Sequence, residues 1–121
     1  MALHNILGKQ GENLAVNFLK GIGYEIVACN WRNGRLEVDI IAKDKDFLVF
    51  IEVKTRTNEM WGNPEESVTE AKIKRMVAAA DSYISQYETD SDIRFDVISI
   101  LGRGEDVEIE HFIDAFMSPL Q

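Results

Sequence analysis

Two short stretches carry side chains whose types and spacing could do chemistry: "VDIIA", holding Asp39, and "IEVKTR", holding Glu52 and Lys54. The second follows directly on "FLVFI", a run that reads as a buried strand, so a carboxylate and an ammonium stand where apolar residues are expected. Strand side chains alternate between faces. Over 47–55, Phe47, Val49, Ile51 and Val53 share an apolar face, while Leu48, Phe50, Glu52 and Lys54 share one that turns charged halfway along. Over 36–42, Leu36, Val38, Ile40 and Ala42 form the apolar face, opposed by Glu37, Asp39 and Ile41.

A two-residue hairpin loop at Asp44-Lys45 or at Lys45-Asp46 brings Glu37, Asp39, Glu52 and Lys54 onto one face. Cross-strand Cβ atoms are then about 5 Å apart. A three-residue loop without a bulge would split them. Carboxylates this close repel unless a cation lies between them, and Mg²⁺ (or Mn²⁺) is held by one or two carboxylates with water and phosphate. A neighbouring lysine can orient the attacking water and offset charge developing on the phosphate. Asp39, Glu52 and Lys54 thus make a set suited to metal-assisted phosphodiester hydrolysis. The competing reading is a strand whose charged end simply reaches water.

The elements that must position this set follow from periodicity. Residues 3–22 predict a helix with Leu7, Gly11, Leu14, Phe18 and Ile22 along its apolar stripe and Gly21 and Gly23 at its stop. Strands are expected over 24–32, 36–42 and 47–55, joined by the turn-like "NGR" and "KDKD". A loop over 56–68 precedes a helix over 69–86, with Thr69 as N-cap and Ile73, Met76, Val77, Ala80 and Ile84 on one face. Strands over 91–102 and 107–113 form a closing hairpin. The order is α-β-β-β-α-β-β, an α/β (α+β) fold, and a helix between strands allows a mixed sheet.

A length of 121 residues predicts one domain over residues 1–121. No apolar run approaches the roughly 20 residues that span a bilayer. The first residues lack the pattern of a signal peptide, and a lone cysteine, Cys29, excludes a disulfide framework and a cysteine zinc site. The expected compartment is the cytoplasm, with no membrane partner. The net charge of −8 argues against a polyanionic partner for the chain as a whole. Residues 1–80, however, carry 11 acidic and 11 basic side chains, while residues 81–121 carry 10 acidic and 2 basic. The excess acidity belongs to the C-terminal third, and the first two-thirds stay open to nucleic acid.

Taken in order, "GKQGENLAVNFLKGIGYEIVACNWR", "EVDIIAKD", "FIEVKTR", "WGNPEESVTEAKIKRMVAAADSYI" and "RFDVISI" resemble the YraN family of small bacterial proteins, over about residues 8–101. Asp39, Glu52 and Lys54 also resemble the Asp…Glu-x-Lys signature of the PD-(D/E)xK nuclease superfamily, which includes restriction endonucleases and Holliday-junction resolvases. The resemblance implies a restriction-endonuclease-like αβββαβ core with a mixed sheet flanked by helices, here followed by an extra C-terminal strand. It also implies a metal-dependent endonuclease acting on DNA, branched or junction forms included. Glu12 stands where resolvase-like members place a glutamate at the metal. Where relatives commonly read Gly-Glu-Ile-Asp, this chain has Leu36-Glu37-Val38-Asp39, with the carboxylate spacing kept.

Lys72 lies in the first turn of the second helix, where the dipole disfavours a cation, and so suggests an anion nearby. Arg56 and Lys72 are candidate nucleic-acid contacts, with ordinary surface charge the equal alternative. Trp31 and Trp61 suit stacking on bases or, more simply, packing. Asp96 reads as structural; His4 and His111 carry no assignment. Two rivals stand beside the nuclease. One is a nucleic-acid-binding module of the same fold that cleaves weakly or with a partner; the other is a protein-interaction domain. A homodimer is open, as is a basic protein partner at the acidic C-terminal third.

Overall fold

The computed structural model describes residues 2–56, 69–103 and 106–115. Helix α1 spans Ala2–Gly21, followed by strands β1 (Glu25–Asn33), β2 (Leu36–Asp44) and β3 (Phe47–Arg56). Helix α2 (Glu70–Tyr87) precedes β4 (Asp92–Arg103) and β5 (Asp106–Phe112). The five strands lie in sequence order, β1-β2-β3-β4-β5. All neighbours are antiparallel except β3 and β4, whose parallel pairing is the crossover that α2 makes possible. This is the expected mixed sheet with its extra C-terminal strand. Of the loop expected over 56–68, Arg56 belongs to β3, and 57–68, with Trp61, lie outside the described residues.

Local chemistry accounts for the ends of the elements. Thr69 caps α2, its hydroxyl accepting from the Lys72 N–H at 3.2 Å. At the other end Glu88 takes a left-handed conformation and its N–H closes onto the Ile84 carbonyl. Between β2 and β3, Asp44 pairs with Phe47, so the loop is Lys45-Asp46, with Lys45 at positive φ. Of the two registers open from the sequence, this is the one that sets Asp39 level with Glu52.

Each helix covers one face of the sheet. Met76, Val77, Ala79, Ala80 and Tyr83 of α2 pack on Val38, Ile41, Leu48, Phe50 and Phe95. Ala15 and Leu19 of α1 pack on Ile40, Ala42, Val49, Ile51, Ile98 and Ile100. The expected stripe on α1 needs correction. Ala15 and Leu19 are fully buried, whereas Leu14 and Ile22 are 38% and 49% exposed. The helix is rotated toward its row of small residues because small residues permit the closest approach. Gly11 shows how close: a Cβ there would lie 2.1 Å from the Thr55 hydroxyl oxygen. Glu12, next in sequence, reaches Asn30 of β1 and the field of Asp39 on β2.

Alternation along β2 also breaks. Val38 and Ile41, three residues apart, both pack on the α2 side, while Ile40 and Ala42 pack on the α1 side. The expected single face of Leu36, Val38, Ile40 and Ala42 is therefore split at Asp39.

Gly11→Ala is expected to destabilise the fold by about 1–2 kcal/mol despite the better helix propensity of alanine, because overpacking outweighs it. Adding Thr55→Ala should recover most of the loss. Urea denaturation of the two variants checks both statements.

Candidate active site

The β2–β3 ladder is regular from Asp44↔Phe47 to Ile40↔Ile51 and stops there. One step further, Asp39 stands opposite Glu52. The reason for the stop is chemical: the Val53 N–H donates to Asp39 Oδ2 at 2.8 Å instead of to a β2 carbonyl. A side-chain carboxylate thus enters the gap between two central strands, and the strands part around it.

Burial is the main force raising the Asp39 pKa to about 7. Repulsion from Glu52, Glu12 and Glu37 adds to it, and the Val53 hydrogen bond only partly opposes it. Four carboxylates from α1, β2 and β3 therefore share one field. Glu52 is better balanced. Its Oε1 lies 3.5 Å from Lys54 Nζ and 3.5 Å from Lys72 Nζ. These are longer than the roughly 2.7–2.9 Å of a tight charge-assisted bond, so Glu52 is held loosely. The side chains of Glu52 and Lys54 are each 20% exposed. Burial, and then the adjacent Lys72, lower the Lys54 pKa from its ordinary value.

The residues singled out from the sequence are thus mostly brought together. Asp39, Glu52 and Lys54 meet at the open end of the ladder, and Lys72 reaches them from the first turn of α2. Arg56 ends β3, half-buried. Glu12 enters the field of Asp39 from α1, with its Oε2 accepting from Asn30 Nδ2 at 3.0 Å. Glu37 is exposed and pairs with Arg32 at 3.2 Å, a surface contact. Trp31 packs edge-on against Tyr83, which supports the packing reading. Among the described residues no group of three acidic, histidine or cysteine side chains is arranged to hold a metal ion.

Asp96, read from the sequence as structural, is the centre of a second polar cluster at the hairpin end of the sheet, and its partners, His111 among them, were not foreseen. Asp96 is fully buried and accepts from Arg94 Nε at 2.9 Å and from the Asp114 N–H at 3.0 Å. His111 Nε2 lies 2.7 Å from its other oxygen. Arg94 also donates to Asp44 at 2.9 Å and to the Tyr24 hydroxyl, and its guanidinium lies over the Phe47 ring. Burial alone would raise the Asp96 pKa, but the bonds from His111, Arg94 and Asp114 hold it below the usual carboxylate range. Tyr24 is pushed up to about 12 by burial and by the Asp96 charge. Every partner is satisfied, and the cluster ties β2, β4, β5 and the α1–β1 connection together. The one sequence signal was "RFD", charges inside a strand that is otherwise buried.

Two predictions follow from these opposite clusters. Between about pH 4 and pH 7 the folded protein keeps a proton on Asp39 that the unfolded chain has released. Its contribution to stability is present at low pH, falls through that window and is lost above it. In EDTA, Asp39→Asn should therefore gain on the wild type by on the order of 1–3 kcal/mol between about pH 4 and pH 8. A difference that does not change with pH in urea denaturation would contradict this. Asp96→Ala, by contrast, strands the buried Arg94 and should cost about 3–5 kcal/mol in the same measurement.

Comparison with known proteins adds the lineage. Residues 11–100 match the model of the family described as "Uncharacterised protein family UPF0102". A "UPF0102 protein" of Bacteroides thetaiotaomicron is 48% identical over 120 residues, covering 99% of each chain. Another, from Phocaeicola vulgatus, is 43% identical over the same span and coverage, and one from Chlorobium limicola is 50% identical over 117 residues, 91% of each. These matches run nearly end to end and include all the site residues within one family. The chain belongs to the UPF0102 family, the YraN family that its sequence blocks resemble.

Proposed function

We propose that this protein is a Mg²⁺- or Mn²⁺-dependent nuclease that hydrolyses phosphodiester bonds in DNA, branched or junction forms included, in the cytoplasm. The observation that carries the reading is Asp39: a half-buried carboxylate in the field of three others, level with Glu52, in a gap between strands. Such an arrangement is unfavourable without a cation and favourable with one. The donors are hard oxygens with no histidine or cysteine among them, which suits Mg²⁺ or Mn²⁺ and not zinc. Two carboxylates are enough, since Mg²⁺ keeps water and substrate phosphate as its other ligands.

Asp39 and Glu52 would hold the ion, with Glu12 assisting. The ion, when bound, would polarise the phosphate and acidify a water. Glu52 is free to turn toward it because its contacts to Lys54 and Lys72 are long. Lys54, released from Glu52, would orient the attacking water and balance charge growing on the phosphate. Lys72 and Arg56 would receive flanking phosphates. The resemblance to the PD-(D/E)xK superfamily supports the same roles. No described helix is long and apolar enough to cross a membrane.

A second reading is a nucleic-acid-binding module of the same fold with weak or partner-dependent cleavage. It is favoured by Glu52 being shared between two ammonium groups, which could hold the site closed to a metal.

Substituting Asp39 or Glu52 by Ala should abolish Mg²⁺- or Mn²⁺-dependent cleavage across junction, flap, single-stranded and duplex substrates. Lys54→Ala should lower it by at least about a hundredfold. Cleavage surviving in both carboxylate variants would sink the proposal. Binding without turnover by the wild type would favour the module.

A further inference from the structure

Midway along β1, Asn30 adopts the left-handed conformation, with φ of 52°. A non-glycine residue is strained there, though asparagine tolerates it better than most. The β1–β2 register passes from Cys29↔Ile40 to Trp31↔Val38 and omits the pair between, Asn30 and Asp39. Both strands change face at this level. Ala28 and Trp31, three residues apart on β1, pack on the α2 side, as do Val38 and Ile41 on β2. Backbone geometry alone would be met more cheaply by glycine. What asparagine adds is an amide, and that amide donates to Glu12 Oε2 at 3.0 Å.

We infer that Asn30 is a positioning residue that holds the Glu12 carboxylate toward Asp39 and Glu52. Two structural features converge on the same result. The Gly11–Thr55 contact sets the distance of α1 from β3, and the turned backbone at Asn30 aims the amide at the next residue of α1. The donor is also of the right kind. A lysine or arginine would neutralise Glu12 and compete with a cation, whereas an uncharged amide fixes the carboxylate and leaves its charge available. The inference rests on the hydrolase reading for its purpose and on the hydrogen bond for its geometry.

Asn30→Gly keeps the backbone and removes only the amide. The variant should melt within a few degrees of the wild type, while its Mn²⁺ dissociation constant, measured by calorimetry, rises about tenfold. On a Glu12→Gln background Asn30→Gly should have no further effect, since the two residues act together. Wild-type Mn²⁺ affinity in Asn30→Gly, or a second independent loss on the Glu12→Gln background, overturns the inference. A wild-type protein that binds no Mn²⁺ defeats the hydrolase reading instead, and the positioning is then read without metal. In metal-free protein the Asn30 side-chain amide resonances should shift on Glu12→Gln; unmoved resonances overturn the inference by themselves.

Discussion

The hydrogen bond from the Val53 N–H to the Asp39 carboxylate governs how the centre of this molecule is used. A buried amide must be paired, and in the middle of a sheet the partner is normally a carbonyl. Here it is a side chain. The substitution ends the β2–β3 ladder at Ile40↔Ile51 and keeps Asp39 from withdrawing to solvent. Glu52 and Lys54 stand beyond that point on a strand still paired with β4 on its other side. The charged residues thus stand where two strand backbones part, a far stiffer support than a loop.

The protein treats buried charge in two opposite ways. Around Asp96, the side chains of Arg94, His111 and Tyr24 and a backbone N–H complete the coordination of one carboxylate, and Arg94 is shared with Asp44 and Tyr24. That cluster is closed, and it fastens elements together. Around Asp39, carboxylates predominate and the nearest cations are drawn to Glu52 instead. That cluster is open. Satisfied polar networks stabilise, while unbalanced ones cost free energy and persist where a ligand or a reaction makes use of them. Both clusters lie in one small sheet, and the first holds the frame within which the second is tolerated.

The order of elements was legible because each has its own period, and their boundaries differ from expectation by a residue or two. The pairing of Asp39 with Glu52 was legible as far as the turn: composition left two registers, and the positive φ at Lys45 goes with one of them. Three features were not legible. The buried row of α1 was legible at Gly11 but misplaced beyond it, because hydrophobicity ranks Leu14 above Ala15, while close packing prefers the small residue. The break in alternation at Asn30 and Asp39 leaves no mark on a hydropathy pattern, since asparagine is also an ordinary surface residue. The Asp96 cluster joins residues as distant in sequence as Tyr24 and Asp96, 72 positions apart, and no local spacing reports that.

The single parallel pairing has a kinetic consequence. Strands β1 to β3 are joined by two short turns, so their contacts close small loops. Phe47 and Asp92, by contrast, pair across 45 positions of chain, and the entropy of closing that loop is lost before the parallel ladder returns anything. The meander is therefore the part that local contacts can assemble first, with Asp39 already in place on it. The far edge of β3, behind Glu52 and Lys54, is completed only when α2 has docked and β4 has zipped alongside. The strand pairing that closes the longest loop of the sheet is thus also the one that completes the support of Glu52 and Lys54.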